Sequence, residues 1–210
     1  KMAEVQNYFI EFHKVIRLGN VDDNEVLREK RDIVLSKLKT RLKEIFEARE
    51  ETPPTFTYFN KGSYAMNLGV VPIDCDYDLD MGILFDIQID DYPDPVEVKT
   101  WVYEALYGHT DSVVMKQPCV TVQYHLNEEP VYHLDLAVYA PGDNASNNIY
   151  LARGKTYSTS VNRIWQLDDP KGLIAKINNC LADADDRCQF RRVIKYLKRW
   201  KAIKFPTEGN

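Results

Sequence analysis

Hydrophobic positions recur with two different periods along this 210-residue chain, and each change of period marks a new element. Between residues 24 and 50, Val26, Ile33, Val34, Leu38, Leu42, Ile45 and Phe46 fall near a 3.6-residue spacing, which predicts one long amphipathic helix. Pro53 and Pro54 end it, because proline has no amide hydrogen to continue the ladder. The stretch FTYFNKGS, residues 56–63, then predicts a short strand running into a turn, and SYAMNLG, residues 63–69, one or two helical turns. YDLDMGILFDI, residues 77–87, predicts a strong strand, and PVEVKTWVYEALYGH, residues 95–109, a helix with Val98, Val102, Leu106 and Tyr107 on one side. SVVMKQPCVTVQYHL and VYHLDLAVYAP, residues 112–126 and 131–141, read as strands joined in a hairpin at NEEP. IYLAR, residues 149–153, predicts a further short strand. Beyond residue 168 helical patterns dominate: Pro170 suits a first turn, and residues 183–205 carry acids at the head and bases at the tail, as a helix dipole prefers.

The order of elements predicts an α+β fold, with a mixed or antiparallel sheet flanked by helices over residues 1–150 and a helical unit over 151–210. An apolar fraction of 44% and a charged fraction of 28% fit an ordinary globular chain. The net charge of −5 argues against life on duplex nucleic acid, which selects basic surfaces, and favours small ligands. The four cysteines, Cys75, Cys119, Cys180 and Cys188, form no CxxC and read as buried or half-buried thiols of a reducing compartment, here the cytoplasm. No apolar run is long enough to span a membrane, and the start KMAEVQNYF has no signal-like core. Lys1 before Met2 and the abrupt stop at FPTEGN lead us to expect a piece of a longer protein.

The candidate chemistry lies in acids placed on apolar strands. In a strand, residues two apart share a face, so Asp78 and Asp80 project together while Leu79, Met81 and Ile83 line the other side. Asp74 and Asp76 share that parity if the strand reaches back so far. Two adjacent carboxylates repel and call for a compensating positive charge or for solvent. Asp135 stands alone between Leu134 and Leu136, where an unpartnered carboxylate is costly. If its strand neighbours residues 78–83, three carboxylates converge as oxygen ligands for a hard divalent cation such as Mg²⁺. Acids at such spacing also occur on solvated strand faces, and the pair alone does not decide between the two. Gly62 permits close backbone approach and Ser63 adds a hydroxyl near helical-turn amides suited to phosphate.

A Gly-Ser turn, then Asp-x-Asp, then a lone Asp on a later strand resembles the polymerase-beta-like nucleotidyltransferase superfamily and its palm. KGSYAMNLGVVP, YDLDMGI and HLDLAVY are similar to the bacterial relatives of the animal cyclic GMP-AMP synthase, as are RIWQLDDPKGLIAKIN and the helix FRRVIKYLKRWK. The resemblance, over residues 20–206, implies that Asp78, Asp80 and Asp135 hold two Mg²⁺ ions, with Mn²⁺ as a substitute, and that Gly62 and Ser63 bind the nucleoside triphosphate. It implies that Lys198, and more weakly Lys195, meet the phosphates from the nucleotide cleft lined by residues 151–210; Lys61 is a further phosphate candidate. Tyr139, Tyr157 and Trp165 are candidates for base stacking, and His133, which shares the face of Asp135, receives no role. The implied activity joins nucleoside triphosphates into a cyclic di- or trinucleotide for anti-phage defence, with a regulatory protein of a defence operon as a possible partner and no long nucleic acid. The rivals are transfer of a nucleotide to an antibiotic or an RNA hydroxyl, and an inactive nucleotide-binding module.

Overall fold

The computed structural model describes residues 2–18, 21–142 and 148–206. Two helices open the chain, α1 (Met2–Ile16) and α2 (Val21–Glu47), followed by β1 (Phe56–Asn60) and the single turn α3 (Gly62–Ala65). Next come β2 (Tyr77–Phe85), α4 (Pro95–Leu106), β3 (Ser112–Met115), β4 (Val120–Leu126) and β5 (Glu129–Pro141). The strands β6 (Ile149–Arg153) and β7 (Ile164–Asp168) then lead into α5 (Pro170–Asn178) and α6 (Ala184–Lys204). The sheet runs β1-β2-β5-β4-β3, with β6 added to β5 and β7 to β6. Every described pairing is antiparallel except β2 with β5, which run parallel. This is the expected α+β architecture with a mixed sheet.

The helices α2 and α4 cover one face of that sheet. Leu27, Val34, Leu38, Leu42 and Phe46 of α2 are buried against Val98, Trp101 and Val102 of α4 and against Leu79, Met81, Ile83, Leu134, Leu136 and Val138 of β2 and β5. Each such side chain contributes about 1.5–3 kcal/mol by leaving water. Alternation then obliges Asp78, Asp80, His133 and Asp135 to emerge on the opposite face. The Asp94 side chain caps α4 at the Val96 amide, and Pro95 occupies its first turn.

Local chemistry sets the breaks. The single strand expected over 112–126 is two, because Pro118 cannot donate to a ladder and the Lys116 amide closes a turn on the Cys119 carbonyl. Asn127 and Glu128, both at positive φ, make the two-residue turn of the β4–β5 hairpin. Residues 2–16, given no element from sequence, form α1, whose Phe9 ring stacks on Tyr196 of α6 at 5.5 Å. Strand β7 was likewise unforeseen, so the sheet continues to residue 168 and the run of helices begins at Pro170. All four cysteines are free; Cys119 is buried, but Cys75, Cys180 and Cys188 are exposed rather than half-buried.

Candidate active site

The parallel pairing of β2 and β5 sets Asp80 directly beside Asp135 and Asp78 beside His133. Neighbouring strands lie about 4.8 Å apart, so these side chains share one small patch. Oxygen and nitrogen atoms of Asp78, His133 and Asp135 lie within 4.8 Å of one another, a spacing that suits a metal ion. Asp80 stands next to them, its carboxylate packed over Gly62. A Cβ at position 62 would overlap Asp80 Oδ2, and Gly62 has a φ of +63°. Glycine is required here twice, for backbone conformation and for space. Gly62→Ala should displace the Asp80 carboxylate and lower any activity that depends on it at least about a hundredfold, the cost of a misplaced reacting group, with the change checked as kcat on folded protein.

Electrostatics mark the patch as short of positive charge. Burial, then the charge of Asp78, pushes the Asp80 carboxyl up to about 6; Lys61 opposes this and Asp135 adds to it. His133 is raised to about 9, first by its hydrogen bond to Asp78, against the effect of burial, and further by Asp76. A donor set of carboxylates and one imidazole, with one carboxyl whose ionisation is disfavoured by burial and by its neighbours, fits a divalent cation well.

Strand β4 supports this patch from the side. Thr121, opposite Asp135 in the ladder, donates its hydroxyl proton to Asp135 Oδ1, and the Lys116 ammonium lies 3.9 Å from the same oxygen. Gln123, opposite His133, donates from Nε2 to Asp76 Oδ1 at 3.1 Å. Asp76 lies just outside β2, yet its Oδ2 is 3.1 Å from His133 Nδ1, while His133 Nε2 is 3.2 Å from Asp78 Oδ1. Asp74, by contrast, turns back to accept the Asp76 amide.

The flank of the patch is formed by α3 and α6. Lys198 Nζ donates to Ser63 Oγ at 2.7 Å and to the Leu68 carbonyl at 3.4 Å. Burial lowers its pKa, and the charges of Asp78 and Asp80 act against that. Gly62, Ser63, Lys198 and the acids therefore form one constellation. Lys195 does not join it: it is only 6% exposed, and its pKa is lowered by burial and then by the cations Arg17, Arg191 and Lys198. Spacing put both lysines on one helical face, but α1 covers the end where Lys195 lies, with Tyr196 hydrogen-bonded to the Phe9 carbonyl. Lys61 is turned to the Tyr139 hydroxyl at 2.9 Å, which in turn donates to Asp168 Oδ2 at 2.7 Å.

Two of the aromatic candidates are structural. Tyr139 is fully buried, and the Trp165 indole donates to the Tyr92 carbonyl and packs against the core. Tyr157, 97% exposed, is the one of the three with a free ring face. The groups missed from sequence are Thr121, Gln123 and Lys116; His133 is expected on the face of Asp135 but without a role, and Asp76 joins it from just outside β2 rather than by an extension of the strand. Thr121 and Gln123 did carry a signal, two polar residues at period two among valines.

The sheet, its helices and the carboxylates gathered across a parallel strand pair have the fold of solved cyclic-nucleotide synthases. Residues 56–139 match the family model described as cyclic GMP-AMP synthase DncV-like, nucleotidyltransferase domain. Over 189 residues, 85% of this chain and 40% of the relative, it is 26% identical to the cyclic GMP-AMP synthase of Escherichia albertii. It superposes on Vibrio cholerae DncV cyclic AMP-GMP synthase with a TM-score of 0.69 at 15% identity, covering 92% of this chain and 64% of that one. On the Bradyrhizobium diazoefficiens CD-NTase CdnG, solved in complex with GTP, the TM-score is 0.58 at 14% identity, covering 80% and 44%. In sequence over residues 56–139 and in fold over most of its length, the chain is thus similar to the cGAS/DncV-like nucleotidyltransferases. It spans less than two-thirds of the length of these relatives.

Proposed function

We propose that the protein to which this chain belongs joins ribonucleoside triphosphates into a cyclic di- or trinucleotide in the cytoplasm, releasing pyrophosphate, as a signal in anti-phage defence. The observation that carries this reading is the register of β2 against β5, which sets Asp80 beside Asp135 with Gly62, Ser63 and Lys198 on the flank. The defence role and the cyclic product follow the family resemblance. They agree with GTP, and with ATP and GTP, being bound in solved relatives.

Asp78, Asp80 and Asp135 would hold the divalent cation, Mg²⁺ or Mn²⁺. When bound, it supplies neutralisation of the charge that builds on the triphosphate during transfer. Ser63 and Lys198 bind the phosphate tail. A ribose hydroxyl oxygen of a second nucleotide bonds to the α-phosphorus, and the bond from that phosphorus to pyrophosphate breaks. Asp135 accepts the hydroxyl proton; Thr121 and Lys116 both address its Oδ1, which leaves Oδ2 for that task. Tyr157 offers a face on which any base can stack.

The test is product identity. The full-length protein, given Mg²⁺ and all four ribonucleoside triphosphates and then phosphatase, should yield a phosphatase-resistant cyclic oligonucleotide by mass spectrometry. Linear products only, transfer to a small alcohol or RNA end, or no release of pyrophosphate would overturn the reading.

A further inference from the structure

Every described oxygen ligand in the patch is a carboxylate, and His133 is the exception in the donor set. Its ring is not loosely placed. Nδ1 is held 3.1 Å from Asp76 Oδ2, and Asp76 is itself held by Gln123, whose amide also reaches the Tyr132 carbonyl at 3.2 Å. A carboxylate on one ring nitrogen fixes the tautomer and turns the other nitrogen outward, an arrangement that metal-binding histidines characteristically use. The other nitrogen, Nε2, is the one directed at Asp78, on the same face as Asp135.

We propose that His133 Nε2 is a metal ligand alongside Asp78 and Asp135, and that it makes this centre prefer Mn²⁺ to Mg²⁺, with Asp76 and Gln123 as positioning residues. The inference rests on the metal-binding part of the proposed function. Both ions favour carboxylate oxygens, but Mg²⁺ demands near-ideal octahedral geometry and gives up its waters reluctantly, whereas Mn²⁺, a first-row transition ion, tolerates an imidazole nitrogen among them better. On binding, the cation takes the place of the Nε2 proton, which leaves to solvent. The relay Gln123–Asp76–His133 then keeps the imidazole aimed without contributing a ligand of its own. Competing uses of the histidine are limited, since among the described residues its ring nitrogens contact only Asp76 and Asp78.

The experiment loads the full-length protein with Mn²⁺ alone and reads pulsed electron paramagnetic resonance for ¹⁴N coupling, beside calorimetric titrations with Mn²⁺ and Mg²⁺. Wild-type protein should show nitrogen coupling to bound Mn²⁺. His133→Gln should lose it and lose at least about tenfold in Mn²⁺ affinity with little change for Mg²⁺. Asp76→Asn should weaken Mn²⁺ binding about 10–100-fold, the usual effect of removing such an orienting carboxylate. Mn²⁺ bound without nitrogen coupling, and lost in Asp78→Asn, would overturn the role of His133 while leaving the carboxylate site intact. No stoichiometric Mn²⁺ binding at all would overturn both. The wild-type spectrum decides the ligand even if a variant fails to fold.

Discussion

Asp80→Asn is expected to abolish nucleotidyl transfer, by about a thousandfold or more, and at the same time to make the metal-free protein more stable. The loss follows from removing a charge placed to hold a cation where negative charge develops. The gain follows from the carboxyl's displaced titration. Asp80 is raised from 3.8 to about 6, chiefly by burial and by Asp78. A raised folded-state pKa contributes stability that is fully present below 3.8 and is lost as the pH climbs through about 6. Above that, the buried carboxylate is carried at a cost on the order of 1–2 kcal/mol. The isosteric amide removes this cost, so Tm at pH 7.5 in chelator should rise by roughly 2–6 °C. His133 acts in the same direction over a higher range: raised to about 9, its contribution is complete below 6.5 and lost through 9. Metal-free wild-type protein should therefore lose stability from about pH 4 to pH 9, and added cation should stabilise it more as pH increases. Thermal unfolding across pH, with and without chelator, checks both signs; a drop in Tm for Asp80→Asn at pH 7.5 would refute the account.

The second large effect concerns a buried residue outside the patch of acids. Lys99 on α4 is fully buried, and its ammonium donates to the carbonyls of Lys116 at 3.2 Å, Gln117 at 2.7 Å and Gly154 at 2.6 Å. Burial lowers it to about 8. It ties α4 to the β3–β4 turn and to the end of β6. Lys99→Met would fill similar space but strand three carbonyls without a donor. The expected cost is about 3–5 kcal/mol, and Tm should fall by roughly 10 °C. Lys116 starts in the same turn and approaches Asp135, so transfer should fall as well, in kcat more than KM. Unchanged thermal stability would show that backbone rearrangement can satisfy those carbonyls, contrary to the burial seen here.

Much of the fold was legible because its signals are local. The α2 stripe at Val34, Leu38, Leu42 and Phe46 and the alternation around Leu79, Met81 and Ile83 both correspond to buried side chains. Such periodicity is dictated by backbone geometry within one segment. The first helix was overlooked although Phe9, Phe12 and Ile16 fit a helical face; its apolar residues are mostly exposed or packed on α6, nearly two hundred residues away. Strand β7 has an exposed, weakly patterned sequence and exists because β6 offers it an edge.

The sequence by itself determined which residues share a face. Asp78 with Asp80, His133 with Asp135 and Thr121 with Gln123 are consequences of period two. Lys195 with Lys198 is a consequence of helical spacing. Only the tertiary structure decided which faces meet. The parallel register of β2 and β5 put His133 beside Asp78, and the loop before β2 brought Asp76 to the far side of its ring. The packing of α1 buried Lys195 among cations while leaving Lys198 on Ser63. The reason is range: backbone geometry acts over a few residues, whereas the field at a carboxylate or an ammonium is set by whatever the folded chain places within a few ångströms of it.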